Sequence, residues 1–279
     1  MDKIINDFIK KSLSEDLGNG DITSMACIDK ESTGQAQLIT KENCEIAGIN
    51  IAKKIFYYYD NNLIFNALKK DGETIKKDEI IFTIAGNQQS ILATERLVLN
   101  CMQRMSGIAT KTRKYINAVQ DLKTKILDTR KTCPSIRFLD KMAVEIGGAK
   151  NHRYGLYDMI MIKDNHIDFS GGVKNAIENC HTYLNKKNKK IQIIIEARDL
   201  RELNQIINIG GVDRILLDNF NINQTKQAVS IVNQKYPLES SGNMKLNNVR
   251  EYAMCGVDYI SIGSLTHSIK SIDLSMKSI

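Results

Sequence analysis

The sequence lacks the features that would set it apart from an ordinary globular protein. It has no tryptophan and only two prolines among 279 residues, a compositional habit to which we assign no function. No apolar run approaches the roughly 20 residues that a membrane-spanning helix needs. The N-terminal stretch MDKIINDFIKKSLSEDLGNG mixes charges into an apolar stripe, so it predicts an amphipathic helix and not a secretory signal. We therefore expect a cytoplasmic protein without membrane contact.

Several short motifs are also missing. The six cysteines are scattered and form no CxxC pair, so we expect them to be reduced and structural. No pair of histidines or cysteines has the spacing of a zinc site. The chain has neither a GxGxxG segment opening a helix nor a Walker A pattern, which excludes the usual dinucleotide and P-loop fingerprints.

The positive charge is present but dispersed. The formal net charge is +7, and the one dense run, 186–190, lies between a helical and a strand pattern, where it predicts a solvated loop. A nucleic-acid surface would combine basic side chains with interleaved aromatic residues on one face. Here the other notable cations stand singly after apolar strand patterns, so we expect no nucleic-acid partner.

The pattern of apolar residues changes twice along the chain. Residues 1–17 have helical periodicity, residues 33–86 are mostly of extended type, and residues 89–120 are helical again. From residue 126 onward, short apolar runs recur at intervals of roughly 22 to 33 residues, with helical patterns between several of them. Two of those helical patterns end in glycine, a common helix stop.

A repeat of strand, helix and strand at this spacing predicts parallel βα units. The strand patterns are nearly continuously apolar, and chemically reactive residues follow them, which favours an α/β barrel with its site at the carboxyl ends of the strands. A doubly wound sheet is the alternative, although the dinucleotide fingerprint typical of many such sheets is absent.

The residues at these predicted strand ends form three chemical groups. Cations and hydrogen-bond donors come first, two carboxylates follow, and small residues with a histidine close the series. In chain order they are Arg130, Lys131, His152, Arg153, Lys163, His166, Glu196, Asp218, Ser241, Gly242, Gly263 and His267.

Each of these residues alone has an ordinary structural explanation, such as a surface salt bridge, a helix cap or a buried histidine. Together they indicate a binding site for a phosphorylated and carboxylated small molecule. Arginine and lysine pair with carboxylates and phosphates, and two carboxylates suit Mg²⁺ held partly by substrate phosphates, or sugar hydroxyls. Glycine-rich strand ends suit a phosphate held by backbone N–H groups.

Seven segments, in order along nearly the whole chain, resemble the quinolinate phosphoribosyltransferase family. The combination of DTRKT and IKDNH is the most specific of them. The segments are EDLGNGDITS at 15–24, ERLVLNCMQRMSGIAT at 95–110, DTRKTCP at 128–134, GGAKNHRYGLYDMIMIKDNHI at 147–167, LLDN at 216–219, LESSGN at 238–243 and VDYISIGSLTHS at 257–268.

The resemblance implies a β-rich α+β N-terminal domain with a leading helix over residues 1–108. It implies an incomplete α/β barrel of parallel strands over residues 109–279, with the last residues returning to the first domain. It also implies a homodimer in which one subunit completes the other's active site. Some members assemble further, so dimer and hexamer both stay open.

The resemblance further implies the substrates quinolinate and phosphoribosyl pyrophosphate, the cofactor Mg²⁺, and a role for each site residue. By this resemblance the quinolinate carboxylates would be bound by Arg130, His152, Arg153 and Lys163, with Arg96 contributed by the partner subunit. Phosphoribosyl pyrophosphate contacts Lys131, its ribose and Mg²⁺ contact Glu196 and Asp218, and its phosphate lies against Ser241, Gly242, Gly263 and His267. The expected catalytic residues are Lys131, Lys163, Glu196 and Asp218.

Two positions depart from the family pattern. Ala149 stands where the third glycine of the glycine run is usual. Ser241-Gly242-Asn243 stands where the family usually has SGG, so Asn243 replaces the last glycine. A related branch implicated in molybdenum transport also has the alanine but lacks the lysine of IKDNH. Lys163 is present here, which favours the quinolinate enzyme over that branch. A non-catalytic binding module on the same fold is a further alternative, against which Glu196 and Asp218 argue.

Overall fold

The computed structural model describes all 279 residues, and the chain forms two compact units. The first unit comprises Met1–Arg113, Thr132–Gly148 and Thr266–Ile279, and the second comprises Lys114–Lys131 and Ala149–Leu265. The helices are α1 Asp2–Leu17, α2 Ile22–Cys27, α3 Ile49–Tyr59, α4 Gln88–Ala118, α5 Arg137–Ile146, α6 Asp164–Phe169, α7 Val173–Lys187, α8 Leu200–Ile209, α9 Ile222–Val232, α10 Val249–Met254 and α11 Ser264–His267. The strands are β1 Thr33–Thr40, β2 Cys44–Glu45, β3 Ile64–Ala67, β4 Thr74–Ile75, β5 Ile80–Asn87, β6 Lys125–Leu127, β7 Ile160–Ile162, β8 Ile193–Ala197, β9 Arg214–Asp218, β10 Leu238–Ser241, β11 Tyr259–Ser261 and β12 Leu274–Ser278.

The first unit is built on an antiparallel sheet in the order β12-β1-β5-β3, and β2 pairs separately with β4. Its outer strand β12 is the C-terminal strand of the chain, paired with β1 from Ala36 opposite Ser278 to Thr40 opposite Leu274. The last residues therefore add a strand to the sheet formed by the first hundred.

The helix α3 corrects the expectation that residues 33–86 are mostly extended. Its sequence INIAKKIFYYY is rich in β-branched and aromatic residues, which favour strands in isolation. Its buried positions nevertheless follow a helical spacing, with Ile51, Ile55 and Phe56 among them. The Phe56 ring lies 6.0 Å from the Phe82 ring of β5 in an edge-on arrangement. Packing against the sheet therefore decides the conformation that local propensity leaves open.

The second unit contains a parallel six-stranded sheet in the order β6-β11-β10-β9-β8-β7. Each strand neighbours the next one along the chain, and β11 neighbours β6, so the order is cyclic with one break between β6 and β7. Next to β6, on the side of the break, the chain forms a single parallel bridge between Leu127 and Lys150. The arrangement confirms the predicted α/β class and the incomplete barrel of parallel strands.

The local signals of the second unit match its elements. All five residues of β8 are buried, as expected for a strand covered on both faces. Helix α8 begins where the Asp199 carboxylate accepts the N–H groups of Arg201 and Glu202, and it ends at Gly210, whose φ of 73° favours glycine. These caps confirm the predicted helix stop at Gly210.

The division of the chain is less simple than a single boundary. The expected border between residues 108 and 109 falls inside α4, and the segment Thr132–Gly148, with helix α5, belongs to the first unit. An apolar pattern shows that α5 is a helix but does not show which layer it covers. None of the helices has the length and apolar content that crossing a membrane requires.

Candidate active site

Several of the charged and polar residues predicted at strand ends lie along one edge of the parallel sheet in the second unit. Lys163 follows β7 directly, Glu196 lies near the end of β8, and Asp218 is the last residue of β9. Asp218 is aligned with Ser241 at the end of the neighbouring strand β10. Because the strands are parallel, their carboxyl ends meet at the same edge, where α/β proteins build their sites.

Lys163 and Glu196 form an ion pair at this edge. The Lys163 Nζ donates to Glu196 Oε1 at 2.5 Å, and the Glu196 residue is 8% exposed. Burial raises the pKa of Glu196 above its ordinary value, and the negative charges of Asp218 and Asp164 raise it further, while the hydrogen bond and charge of Lys163 oppose the shift. The charge of Asp218, the other carboxylate expected at this site, therefore acts on Glu196.

Arg130 and Arg153 form the cationic side of the site. The pKa of Arg153 lies below its ordinary value, because burial disfavours its charge and the positive charge of Arg130 adds to that effect. The Arg130 Nε is buried and has no hydrogen-bond acceptor in the protein. A buried donor without an acceptor is costly, and two neighbouring guanidinium groups repel one another, so an anion bound here would relieve both.

His152 is held on three sides by protein groups. Its backbone N–H donates to the buried Asp128 carboxylate at 2.6 Å. The Nδ1 of its ring accepts the backbone N–H of Arg153 at 2.7 Å. Its Nε2 lies 3.4 Å from Glu239 Oε2. These contacts fix the orientation of the His152 ring next to Arg153.

The segment from Ser241 to Asn243 turns tightly against the end of β9. Gly242 has a φ of 94°, and an added Cβ would lie 2.1 Å from Asn219 Oδ1, so no other residue fits there. The Asn243 Nδ2 donates to the same Asn219 oxygen at 3.2 Å, and the Asn219 Nδ2 donates to Asp218 Oδ2 at 3.1 Å. The glycine and two asparagines thus connect one strand end to the carboxylate of the next.

The remaining expected residues are distributed over both units. Lys131 is exposed, and its backbone N–H donates to Thr129 Oγ1 at 3.0 Å. Gly263 follows β11, so it lies at the same sheet edge as Ser241. Arg96 and His267 belong to the first unit, where Arg96 is an exposed residue of α4 and the His267 ring contacts Ser268 Oγ at 2.6 Å.

The glycine run shows why Ala149 fits. Gly148 has a φ of 97°, which favours glycine. A Cβ added to Gly147 would lie 2.6 Å from Thr112 Cβ, so that position needs a glycine for close approach. Ala149 has no left-handed backbone and is buried. The third glycine is therefore not required by the conformation of this chain.

Sequence reasoning missed three residues that shape the site. Glu239 is fully buried, Arg214 donates to it at 2.8 Å through Nη1, and Asn219 bridges Asp218 and Asn243. The available signal was a charged residue in each of two strand segments, RILLD and LESS. A buried charge needs a partner, but the sequence alone does not name that partner.

Glu196 and Asp218 can hold a divalent cation only together with further ligands from the substrate or water. No group of three or more histidine, cysteine, aspartate or glutamate side chains assembles into a metal site. Glu196 and Asp218 supply two carboxylates, and the charge of Asp218 acts on Glu196. This donor set fits Mg²⁺, which is commonly bound by one or two carboxylates together with substrate phosphates and water.

Two consecutive family models match most of the chain. The quinolinate phosphoribosyl transferase N-terminal domain matches residues 21–106, and the C-terminal domain matches residues 108–277. The chain is similar to the chloroplastic nicotinate-nucleotide pyrophosphorylase (carboxylating) of Arabidopsis thaliana, with 40% identity over 96% of this chain and 81% of the relative. It is equally similar to a mitochondrial quinolinate phosphoribosyltransferase (decarboxylating) of Nicotiana tabacum, with 40% identity over 98% of this chain and 82% of the relative. Among solved structures, the nicotinate-nucleotide pyrophosphorylase from Francisella tularensis superposes with a TM-score of 0.93 and 38% identity, covering 100% of this chain and 97% of that one.

Proposed function

Because the chain belongs to the quinolinate phosphoribosyltransferase family, we propose that it joins quinolinate to the ribose of phosphoribosyl pyrophosphate. The products are nicotinate mononucleotide, pyrophosphate and CO₂, and the reaction serves NAD synthesis. The curated relatives carry the names of this decarboxylating transfer. The class of enzyme is a pentosyltransferase.

One observation carries the proposal at the level of the site. Arg130 and Arg153 repel one another, and the buried Arg130 Nε has no acceptor. Quinolinate brings two adjacent carboxylates, and planar guanidinium groups pair well with carboxylates. The cationic side of the site therefore suits a dicarboxylate better than a neutral ring.

Each half of the substrate pair has its own set of residues in this proposal. Arg130, Arg153 and Lys163 hold the quinolinate carboxylates beside His152. Glu196 and Asp218 accept hydrogen bonds from the ribose hydroxyls. The pyrophosphate and phosphate oxygens lie against Lys131, Ser241, Gly242, Gly263 and His267.

Mg²⁺ is the cofactor we propose, with Glu196 and Asp218 as the residues that hold it, partly through substrate oxygens. When bound, a divalent cation neutralises the charge that develops on the departing pyrophosphate. Lys163 is ion-paired with Glu196. In the proposed complex the Lys163 ammonium therefore interacts with both Glu196 and a quinolinate carboxylate.

The residues contribute mainly by orientation and electrostatics. The cations fix quinolinate so that its ring nitrogen faces the ribose C1, and holding the two reactants together removes much of the entropic barrier. The carbon–oxygen bond to pyrophosphate breaks as the carbon–nitrogen bond forms. The ring nitrogen is then positively charged, which stabilises the carbanion left when the neighbouring carboxylate departs as CO₂, and a proton takes its place. No covalent enzyme intermediate is needed.

We also propose a homodimer with shared active sites, which a hexamer of such dimers would preserve. Arg96 is exposed on α4 in the first unit. In the proposed assembly it enters the site of the partner subunit and adds a further positive charge for the quinolinate carboxylates.

The decisive test supplies purified protein with quinolinate, phosphoribosyl pyrophosphate and Mg²⁺. Nicotinate mononucleotide and CO₂ are measured together in the same reaction. We expect equal yields of both, and no product when nicotinate replaces quinolinate, because nicotinate lacks one of the two carboxylates. Folded protein that yields no product would contradict the proposal and favour the related branch with another acceptor.

A further inference from the structure

Glu239 is a fully buried carboxylate at the centre of the parallel sheet. It is the second residue of β10, aligned with Leu216 of β9 and Tyr259 of β11. The proposed chemistry does not use it directly, and no substrate group is assigned to it. An ionised carboxylate removed from water is costly unless other groups compensate its charge, so its contacts define what it does.

Arg214 is the first of those contacts. The Arg214 Nη1 donates to Glu239 Oε2 at 2.8 Å, and its side chain is only 14% exposed. The guanidinium carbon lies 4.0 Å from the centre of the Tyr259 ring, in the range of a cation–π contact. Arg214 is therefore held in place from two directions and supplies a fixed positive charge to the carboxylate.

His152 is the second contact, on the same oxygen. Its Nε2 lies 3.4 Å from Glu239 Oε2, and both side chains are buried. Burial alone would raise the pKa of Glu239, but the neighbouring His152, together with Ser261 and Arg214, holds that pKa below its ordinary value. The carboxylate is thus ionised at neutral pH and lies beside the Nε2 of His152.

The opposite side of the His152 ring fixes which ring nitrogen carries the proton of the neutral imidazole. Nδ1 accepts the backbone N–H of Arg153 at 2.7 Å, so Nδ1 itself is unprotonated. A neutral imidazole then carries its proton on Nε2, the atom that faces Glu239. The ring consequently transmits the position of Glu239 to the backbone of Arg153, whose guanidinium reaches the carbonyl of Met159 at 3.2 Å.

We infer that Glu239 and Arg214 are positioning residues, which orient His152 as its Nε2–H tautomer and thereby hold Arg153 in place for the substrate carboxylate. The inference rests on the proposed function for its kinetic consequence. Its structural content, a chain of contacts from Arg214 through Glu239 and His152 to Arg153, stands on the geometry of the second unit. Neither Glu239 nor Arg214 needs to touch a substrate.

The test compares the variants Glu239→Gln and Arg214→Gln with the wild type in separate titrations of the two substrates. Because Arg153 is assigned to quinolinate, we expect KM for quinolinate to rise by about tenfold or more, the size of a lost hydrogen bond to a charged group. KM for phosphoribosyl pyrophosphate should stay within about twofold of the wild-type value. Arg214→Gln keeps the test available if Glu239→Gln does not fold, because Arg214 lies at the start of its strand and is partly exposed.

Glu45→Gln is the matched control. Glu45 is also a buried glutamate paired with an arginine, Arg113, but it lies in the first unit. If Glu239→Gln changes both Michaelis constants and the thermal stability together, in the manner of Glu45→Gln, its role is structural and the inference is overturned. Unchanged kinetics in both Glu239→Gln and Arg214→Gln would overturn it as well.

A nuclear magnetic resonance measurement separates this inference from the proposed function. The chain has four histidines, so ¹⁵N-histidine labelling gives few signals, and His152→Gln identifies the relevant one. We expect the Nε2–H tautomer for His152, with a proton signal that moves upfield in Glu239→Gln when the anionic acceptor is lost. The opposite tautomer would overturn the inference. An inactive wild type with the expected tautomer would instead count against the proposed reaction alone.

Discussion

Asn243 shows how a departure from a family pattern can be accommodated by a single residue. Its φ of 50° is left-handed, a conformation that asparagine tolerates better than other non-glycine residues. Its side chain also donates to Asn219, which in turn donates to Asp218. The sequence could not show this amide contact, because the contact depends on where two separate strands end.

The variants Asn243→Gly and Asn243→Ala separate these two properties. Asn243→Ala keeps the left-handed backbone without a compensating side chain, so we expect it to lower the free energy of unfolding by about 1 kcal/mol. Asn243→Gly removes the backbone strain, so stability should change little. Both lose the contact to Asn219, and KM for phosphoribosyl pyrophosphate should rise in both. Urea unfolding and substrate titration measure the two effects, and equal stability of wild type and Asn243→Ala would contradict the backbone argument.

Glu196 makes a prediction about pH. Burial raises its pKa above the ordinary value of 4.5, and the charges of Asp218 and Asp164 add to the shift. In our proposal the ionised form binds the ribose hydroxyls, so activity requires the proton to leave. The acid limb of kcat/KM for phosphoribosyl pyrophosphate, which reports the free enzyme, should therefore fall at a pH above 4.5. A limb at or below that value would mean that Glu196 does not limit binding.

Two bidentate arginine–aspartate pairs allow a buried ion pair to be compared with an exposed one. In the first unit, Arg104 of α4 donates to Asp140 of α5 at 2.7 and 2.8 Å, and Asp140 is fully buried. In the second unit, Arg250 donates to the exposed Asp121 at 2.7 Å through each of two nitrogens. Each pair has two hydrogen bonds, and the carboxylate is buried in the first pair and exposed in the second.

We expect Asp140→Asn to lower the free energy of unfolding by about 3 kcal/mol, because it leaves a partly buried guanidinium without its counter-charge. The Asp140 carboxylate also accepts the backbone N–H of Cys133, so the loss extends to the segment before α5. Asp121→Asn should have little effect, since exposed pairs are screened by water. Chemical unfolding of both variants measures the contrast, and similar losses would show that burial is not the deciding factor.

Elements specified by local sequence patterns were predictable, and elements that depend on tertiary packing were not. The strands β7 to β9 are short, largely apolar runs followed by polar residues, so both their positions and their common direction could be inferred. The helix α3 could not, because its isoleucines and tyrosines favour a strand until Phe56 packs against Phe82. Glu239 was similarly hidden, since a charge inside an apolar strand has meaning only with its partners.

For the whole molecule, sequence order and spatial order differ. The strand β12 joins the sheet begun by β1, and the segment Thr132–Gly148 belongs to the first unit although it follows β6 of the second. A family resemblance implied the return of the last residues. The excursion of α5 has no local sequence signal, because a helix pattern shows that a face is apolar without naming the surface it covers.

The last prediction concerns the proposed dimer and uses the inactive variants Arg96→Ala and Lys163→Ala. If Arg96 serves the partner subunit's site, a mixed dimer has one site with both changes and one site with neither. Random exchange makes half of the dimers mixed, so an equal mixture should recover about a quarter of wild-type activity. The control mixture of Arg130→Ala and Lys163→Ala should stay inactive, since both residues belong to the same subunit's site and each mixed dimer has a defect in both sites. Activity is measured after subunit exchange has been verified with differently tagged chains. If the Arg96→Ala mixture stays as inactive as the control, Arg96 acts within its own chain and the sites are not shared through it.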